Sequence, residues 1–384
     1  MKPIFLDNNS TTQLHPEVLE AMFPWLGTPC NPSSFHESGA AAKKAVEEAR
    51  GKIANLLGCY PEEILFTSGA TEANNLALTA SLRRTTSKHF LSTILEHKSV
   101  LEPLKRYQSN GFEVTLLESD SKGAISTSRF QEVITTQPRL VSILHSNNET
   151  GVINPLEDLV DYLNPVSLTL FHTDATQSIG KIPLNLKELP VDLLTLSAHK
   201  FHGPMGIGAL YVRRRSPTIQ LEPLQVGGGQ EKGRRSGTLN TPAIVGMGKA
   251  AELAQLQLQK NQPLKFLRDR LESALLQAIP GSETNGDKHN RLPNTFNLYL
   301  PGVLGSALMQ QVPDVCFSTG SACSSAQPEP SHVLLSMFRS LGEDAAQDRA
   351  RCSIRFAVSQ FTTQQEVDTA AQKIINAALQ LREA

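Results

Sequence analysis

Short apolar runs separated by amphipathic stretches fill the first two thirds of the chain. Residues 38–57 space Val46, Ile53, Leu56 and Leu57 at helical intervals and stop at Gly58, which predicts an amphipathic helix with a glycine cap. Apolar runs at 64–66, 90–95, 113–117, 140–144, 168–172, 192–196 and 209–212 predict strands. Helical patterns fall between them: after Thr67-Ser68-Gly69-Ala70-Thr71-Glu72, from about Ser99, around 128–136 and at 156–163. Such alternation predicts an α/β fold with a mostly parallel sheet and right-handed crossovers. Helical patterns at 242–258 and 264–278 follow, then turn-forming residues around Asn285-Gly286-Asp287 and Asn290 to Pro293, then shorter elements of both kinds. The change of pattern places a boundary near residue 259, without a low-complexity linker or an internal repeat.

In a parallel sheet the strands' carboxyl ends share one edge, so polar groups remote in sequence can meet there. Four polar clusters follow predicted strands: Glu96-His97-Lys98, Asn147-Asn148-Glu149, Asp174-Ala175-Thr176-Gln177 and Ser197-Ala198-His199-Lys200. Taken alone, Lys200 reads first as a solvated loop lysine. The Thr67–Glu72 stretch reads equally as an ordinary helix cap or as a phosphate seat, because a helix start presents unpaired N–H groups and a positive dipole end. Four clusters in register make a site.

Composition narrows the partners. Across 384 residues, 36 Lys+Arg against 37 Asp+Glu leave a net charge of -1, so there is no basic field for nucleic acid or an anionic membrane. The first apolar run, Ile4-Phe5-Leu6, is broken at Asp7, too early for a signal-peptide core or a membrane span, and a cytoplasmic location is expected. Five cysteines without a C-x-x-C pair argue against a disulfide framework or a thiolate zinc site. His199 with His202, or His172 with Asp174, could begin a zinc site, but neither pair has a clear third donor, so no metal is expected. Nucleotide readings lose support because no G-x-x-x-x-G-K-[ST] loop occurs and Gly227-Gly228-Gly229 lacks dinucleotide-fingerprint spacing.

Pyridoxal phosphate asks for a lysine, a carboxylate for its pyridine nitrogen, hydroxyls and a helix start for its phosphate, and a flat group to stack on its ring. The clusters offer each of these. Thr67–Glu72, Glu96–Lys98, His145-Ser146-Asn147-Asn148-Glu149, Asp174–Gln177, Ser197–Lys200, Arg235-Ser236-Gly237-Thr238, Ser318-Thr319-Gly320-Ser321-Ala322-Cys323 and Ser353-Ile354-Arg355, in this order, resemble the cysteine desulfurases of the NifS/IscS type. The resemblance spans essentially the whole chain. It implies a fold-type I, pyridoxal-phosphate-dependent homodimer of the class V aminotransferase group, with its site at the subunit interface. It also implies a large cofactor-binding domain over 11–258 and a small α+β domain over 259–384, with residues 1–10 packing near the latter.

Carried over by motif, Lys200 is the Schiff-base lysine and Asp174 the partner of the pyridine nitrogen. His97 stacks on the ring and serves as acid or base, and Asn148 and Gln177 lie near the ring oxygen or the substrate carboxylate. Ala70, Thr71, Ser197 and His199 hold the phosphate, while Thr238 reaches the phosphate of the neighbouring subunit. Gln177 as a helix-start residue and Asn148 as a turn former are the plain alternatives. Ser10 and Cys30 stand where the family usually has small residues such as alanine and glycine, which touches only local packing.

Cys323 selects the branch. It lies among small residues and prolines, Ser318 to Pro330, a composition that predicts a mobile loop. At roughly 3.5 Å per extended residue, the arm from Ser318 could carry its thiol up to about 17 Å. Cys59, Cys316 and Cys352 sit beside apolar runs, where cysteine is usually a small hydrophobe, and Cys30 in a Pro-rich turn is assigned no role. Alternation through Arg351 to Val358 puts Cys352, Ile354, Phe356 and Val358 on one face and leaves Arg355 on the other, free to clamp a carboxylate.

The function implied is conversion of L-cysteine to L-alanine, with the sulfur left as a persulfide on Cys323 for an acceptor protein. The long loop resembles the branch that feeds iron–sulfur scaffold proteins or tRNA thiolation. A selenocysteine lyase, a class V transaminase and a non-enzymatic sulfur-relay scaffold are the rival readings.

Overall fold

The computed structural model describes residues 3–82, 85–163, 168–260, 264–319 and 329–383. Its main sheet has seven strands in the spatial order Ile64–Thr67, Gly208–Val212, Leu193–Ser197, Leu170–Asp174, Leu140–Ser142, His89–Thr93, Glu113–Leu117. Gly208–Val212 runs antiparallel to both neighbours and the other six share one direction, the mostly parallel α/β sheet expected.

Both faces of this sheet are covered, which is why its strands read as apolar runs without polar alternation. Successive residues point to opposite faces. Leu91, Val141, Phe171, Leu194 and Ala209 join one core with Val46, Ile53 and Leu57 of helix Glu37–Leu57 and Ile244 and Met247 of helix Thr241–Gln259. Their neighbours Phe90, Leu140, Leu170, Leu193 and Leu210 join another with Leu76 of helix Ala70–Leu78 and Val100 and Leu104 of helix Lys98–Ser109.

Three strands differ from the sequence reading by two residues at an end. Two of them, expected to reach 95 and 144, stop at Thr93 and Ser142. The cause is visible at Leu144, whose N–H is taken by the Glu96 carboxylate (2.6 Å) in place of a ladder carbonyl. The strand expected over 168–172 lies two residues later and ends on Asp174.

A second, antiparallel sheet pairs Glu283–Asn285, Thr295–Tyr299 and Ser353–Ala357. Helices Leu264–Ala278 and Gln364–Glu383 cover it through Leu271, Leu275 and Ile374, against Phe296, Leu298, Ile354 and Phe356. The amino-terminal strand Ile4–Phe5 pairs with Val315–Cys316, Leu6 packs in this second core, and Asp7 bridges to Ala357. Val333, Leu334 and Met337, although late in the chain, pack into the first core instead. Among the described residues, no helix is long and apolar enough to cross a membrane.

Candidate active site

The four polar clusters do meet at the carboxyl edge of the main sheet. Lys200 closes a one-turn helix, Ala198–Lys200, directly after strand Leu193–Ser197. Thr67, Gly208 and Ser197 stand in register on three adjacent strands. A Cβ on Gly208 would lie 2.7 Å from the Cα and C of Gly69, so only glycine lets the Gly69 turn press onto the sheet. That contact seats the start of helix Ala70–Leu78 beside the buried Ser197 hydroxyl; a Cβ on Gly69 would meet Ser197 Oγ at 3.9 Å. Ala70 is half-buried and Thr71 exposed at this helix start. His199 holds Thr11 Oγ1 through Nδ1 (3.1 Å), and burial, then the charges of Lys200 and Lys181, pull it down to about 4. A helix start, a hydroxyl and a neutral imidazole are a donor set that fits a phosphate. Arg235 pairs with Glu72 of the same helix (2.9 Å); burial raises the Glu72 carboxyl, but this pair and Ser68 outweigh it and hold it low. Thr238, three residues on, is exposed.

Asp174 anchors the next part. Its Oδ1 accepts from the Thr176 N–H (2.9 Å) and its Oδ2 from Asn74 Nδ2 (2.7 Å). The other Asn74 amide proton goes to Ser99 Oγ (2.8 Å), and Ser99 Oγ lies 2.8 Å from His97 Nδ1. The Ser99 N–H also donates to His97 Nδ1 (3.1 Å), as His97 caps helix Lys98–Ser109. A backbone N–H can only donate, so Nδ1 accepts and the neutral ring carries its proton on Nε2. Burial lowers His97, Asp174 opposes this, and Lys200 and His332 add to it. Beside this chain, burial and then the Asp174 charge push the Glu96 carboxyl well up. His172, one candidate zinc ligand, is instead held between Ser142 Oγ (2.9 Å) and Thr195 Oγ1 (3.1 Å) inside the sheet.

The opposite wall joins Lys200, Gln177 and Asn148 to Asn9, a residue the sequence does not single out. Lys200 Nζ donates to the carbonyls of Asn9 (2.7 Å) and Ser10 (2.6 Å). Asn9 is buried; its carbonyl also accepts from Gln177 Nε2 (3.0 Å), and its Nδ2 donates to the Asn148 carbonyl (3.1 Å). Gln177 is therefore a side chain of the site, in a turn and not at a helix start. The turn former nearby is Asn147, whose Oδ1 accepts from the N–H groups of Glu149 and Thr150, so Asn148 is the residue that turn presents.

Arg355 was expected to stand free on its strand face. It is buried and engaged: Nη2 donates to Asp7 Oδ1 (2.6 Å) and Nη1 to the Asn148 carbonyl (3.1 Å), and buried Nε lacks a partner among the described residues. Asp7 and Asn9 carried no local signal, because their partners lie 139 to 348 residues away. Asn74 did carry one, as a lone polar residue on the buried stripe of Ala73, Leu76 and Ala77.

Cys323 lies outside the described residues. Both flanks of its segment reach the site: Ser318 pairs with Arg355 through backbone hydrogen bonds, the Ser331 hydroxyl donates to buried Glu149, and His332 Nε2 contacts the Glu96 carbonyl (3.1 Å). The apolar-run cysteines behave as small hydrophobes. Burial, reinforced by Glu63, pushes Cys59 up to about 12, burial and Asp348 push Cys352 up to about 11, and burial raises Cys316. None of these three is a thiolate at neutral pH.

Residues 4–369 match the family model described as aminotransferase class-V. Cysteine desulfurase 2 of Trichormus variabilis is 45% identical over 97% of this chain and 92% of its own length. Cysteine desulfurase IscS of Anaeromyxobacter dehalogenans is 43% identical over 99% of this chain and 94% of its own. A solved structure described as a NifS-like protein superposes with a TM-score of 0.88 at 36% identity, covering 97% of this chain and 98% of that one. Together with a lysine that follows the strand paired with the one ending on buried Asp174, these matches establish that the chain belongs to the class-V aminotransferases, in the group that holds the cysteine desulfurases.

Proposed function

We propose that the protein is a cysteine desulfurase that carries pyridoxal phosphate on Lys200. The observation that carries this reading is the hydrogen-bonded chain from buried Asp174 through Asn74 and Ser99 to His97, which fixes a carboxylate and a flat ring near the strand end that bears Lys200. The residues fit the cofactor. Asp174 would face the pyridine nitrogen, His97 would lie on the ring, Asn148 and Gln177 would serve its oxygen, and Ala70, Thr71, Ser197 and His199 would hold the phosphate. Bound there, pyridoxal phosphate supplies an electron-withdrawing ring that stabilises negative charge at the substrate's α-carbon.

The chain's own residues supply the rest. Arg355 binds the carboxylate of L-cysteine; its unpaired Nε and its buried position give a charge-assisted donor withdrawn from water. Lys200 Nζ takes the α-proton and returns it, and His97 offers its Nε2 proton as a donor. Cys323 Sγ attacks the substrate sulfur. The new S–S bond forms as the carbon–sulfur bond breaks, the carbon keeps the electron pair and gains a proton, and alanine leaves with a persulfide remaining on Cys323.

In this reading the protein is a cytoplasmic homodimer. Exposed Thr238 reaches the phosphate of the neighbouring subunit, and an iron–sulfur scaffold or a thiolation protein accepts the sulfur. Purified protein incubated with L-cysteine and a reductant should release alanine and sulfide in equal amounts. Glutamate formed from a keto acid, without sulfide, would replace this reading with transamination.

A further inference from the structure

Lys181 is a second amine in the same wall, and the reaction just described gives it no task. It follows Gly180, whose φ of +74° and close approach to Phe201 (a Cβ would lie 3.0 Å from Phe201 Cβ) bring the turn against the residue next to Lys200. Lys181 Nζ donates to Gln177 Oε1 (2.7 Å) and to Asn9 Oδ1 (3.4 Å). Both acceptors are neutral amides. The charged and titratable groups that face Lys181 are Lys200, Arg355, His199 and His202. Asp7, the carboxylate of this wall, is already paired with Arg355.

We propose that Lys181 is a positioning residue for Lys200 and Gln177: it fixes the Gln177 amide through Oε1, and as a like-charged neighbour it keeps Lys200 from holding its own proton tightly. Two observations carry this. The Gln177 amide is turned by Lys181, because Oε1 must face the ammonium, which directs Nε2 to the Asn9 carbonyl that Lys200 also uses. The wall also holds three cations near one carboxylate, and a cation placed beside a lysine is a recognised way to make that lysine unprotonated and nucleophilic. Burial first, then the charges of Lys200 and Arg355, lower the Lys181 amine, as mutual repulsion among the cations of this wall requires.

The inference rests on the reading of Lys200 as the cofactor-bearing lysine, and the test separates the two. Wild-type protein, Lys181→Met and Lys181→Arg are loaded with pyridoxal phosphate, and the absorbance of the bound cofactor is titrated against pH. Removing a like charge from this wall raises the midpoint of Lys181→Met by about one pH unit, roughly tenfold in proton affinity. Lys181→Arg, which keeps the charge, restores most of the wild-type midpoint. Lys181→Gln carries the same expectation as the methionine variant if that one fails to fold. A midpoint in the neutral variants within about 0.3 unit of wild type, measured on folded cofactor-loaded protein, overturns the inference alone. Wild-type protein that takes up no pyridoxal phosphate removes the reading beneath it and the inference as well.

Discussion

On the proposed phosphate side of the crevice, Thr67 to Thr71 and Ser197 to Lys200 are two contiguous segments set by the register of adjacent strands. The proposed substrate side is assembled from residues 7–10, 147–148, 177–181 and 355, joined across as many as 348 residues by side-chain hydrogen bonds. The first therefore depends on backbone shape and the second on individual side chains. Changes of each kind should damage the two sides differently.

The largest effect tests the point where the sides join. Lys200→Ala removes both the proposed cofactor attachment and the group that moves the α-proton. Alanine formation should fall on the order of 10³-fold or more, a typical range for loss of a positioned proton carrier. Turnover within a few-fold of wild type would move the chemistry to another lysine. Gly208→Ala attacks the phosphate side through backbone alone, since the new methyl group would meet Gly69 backbone atoms at 2.7 Å. Overpacking of this kind costs about 1–3 kcal/mol, and it should appear as weaker pyridoxal phosphate affinity, measured by equilibrium dialysis, with little change in cysteine KM for protein saturated with cofactor.

Acid sensitivity is the next effect in size. His145 is buried, and burial pulls it down to about 4, whereas an unfolded histidine titrates near 6.5. Between those values the unfolded state binds a proton that the folded state refuses. Its contribution to stability is thus whole above about pH 6.5 and lost progressively as pH falls to about 4. At pH 5 the loss is about 2 kcal/mol. Urea unfolding of wild type and His145→Gln at pH 7.5 and pH 5 should show the variant losing that much less; equal losses would place the acid sensitivity elsewhere. Arg355→Ala is the side-chain counterpart of Gly208→Ala. Loss of a charge-assisted pair, about 1.5 kcal/mol or more, should raise the cysteine KM about tenfold with a smaller change in kcat and none in cofactor affinity. Loss of cofactor in Arg355→Ala would dissolve the distinction between the two sides.

The same contrast explains what the sequence made legible. Strand ends could be read because a buried parallel strand is a short apolar run, and the polar residues that stop it are contiguous: Ser197 and Lys200 fell at a strand end, Asp174 within two residues of the expected one, and the mostly parallel α/β sheet formed around them. Asp7, Asn9 and Lys181 could not be read in this way. Their meaning lies in partners such as Arg355 and Gln177, and no local period encodes a contact over so long a separation. Arg355 was placed on the correct strand, yet the pattern could not show that Asp7 would already hold it.

If sulfur leaves cysteine onto Cys323, sulfur-labelled L-cysteine will mark that residue. Wild-type protein and Cys323→Ser, both loaded with pyridoxal phosphate, are incubated with substrate and separated under non-reducing conditions. A serine hydroxyl is barely ionised at neutral pH and cannot hold a persulfide, whereas the phosphate and substrate groups are untouched. Label is expected on wild type, removable by reductant, with an unlabelled variant that still changes its cofactor absorbance when cysteine is added. Label of wild-type intensity on Cys323→Ser would contradict this and pass the role to another cysteine, with Cys30 the first to examine because burial raises the thiols of Cys59 and Cys352.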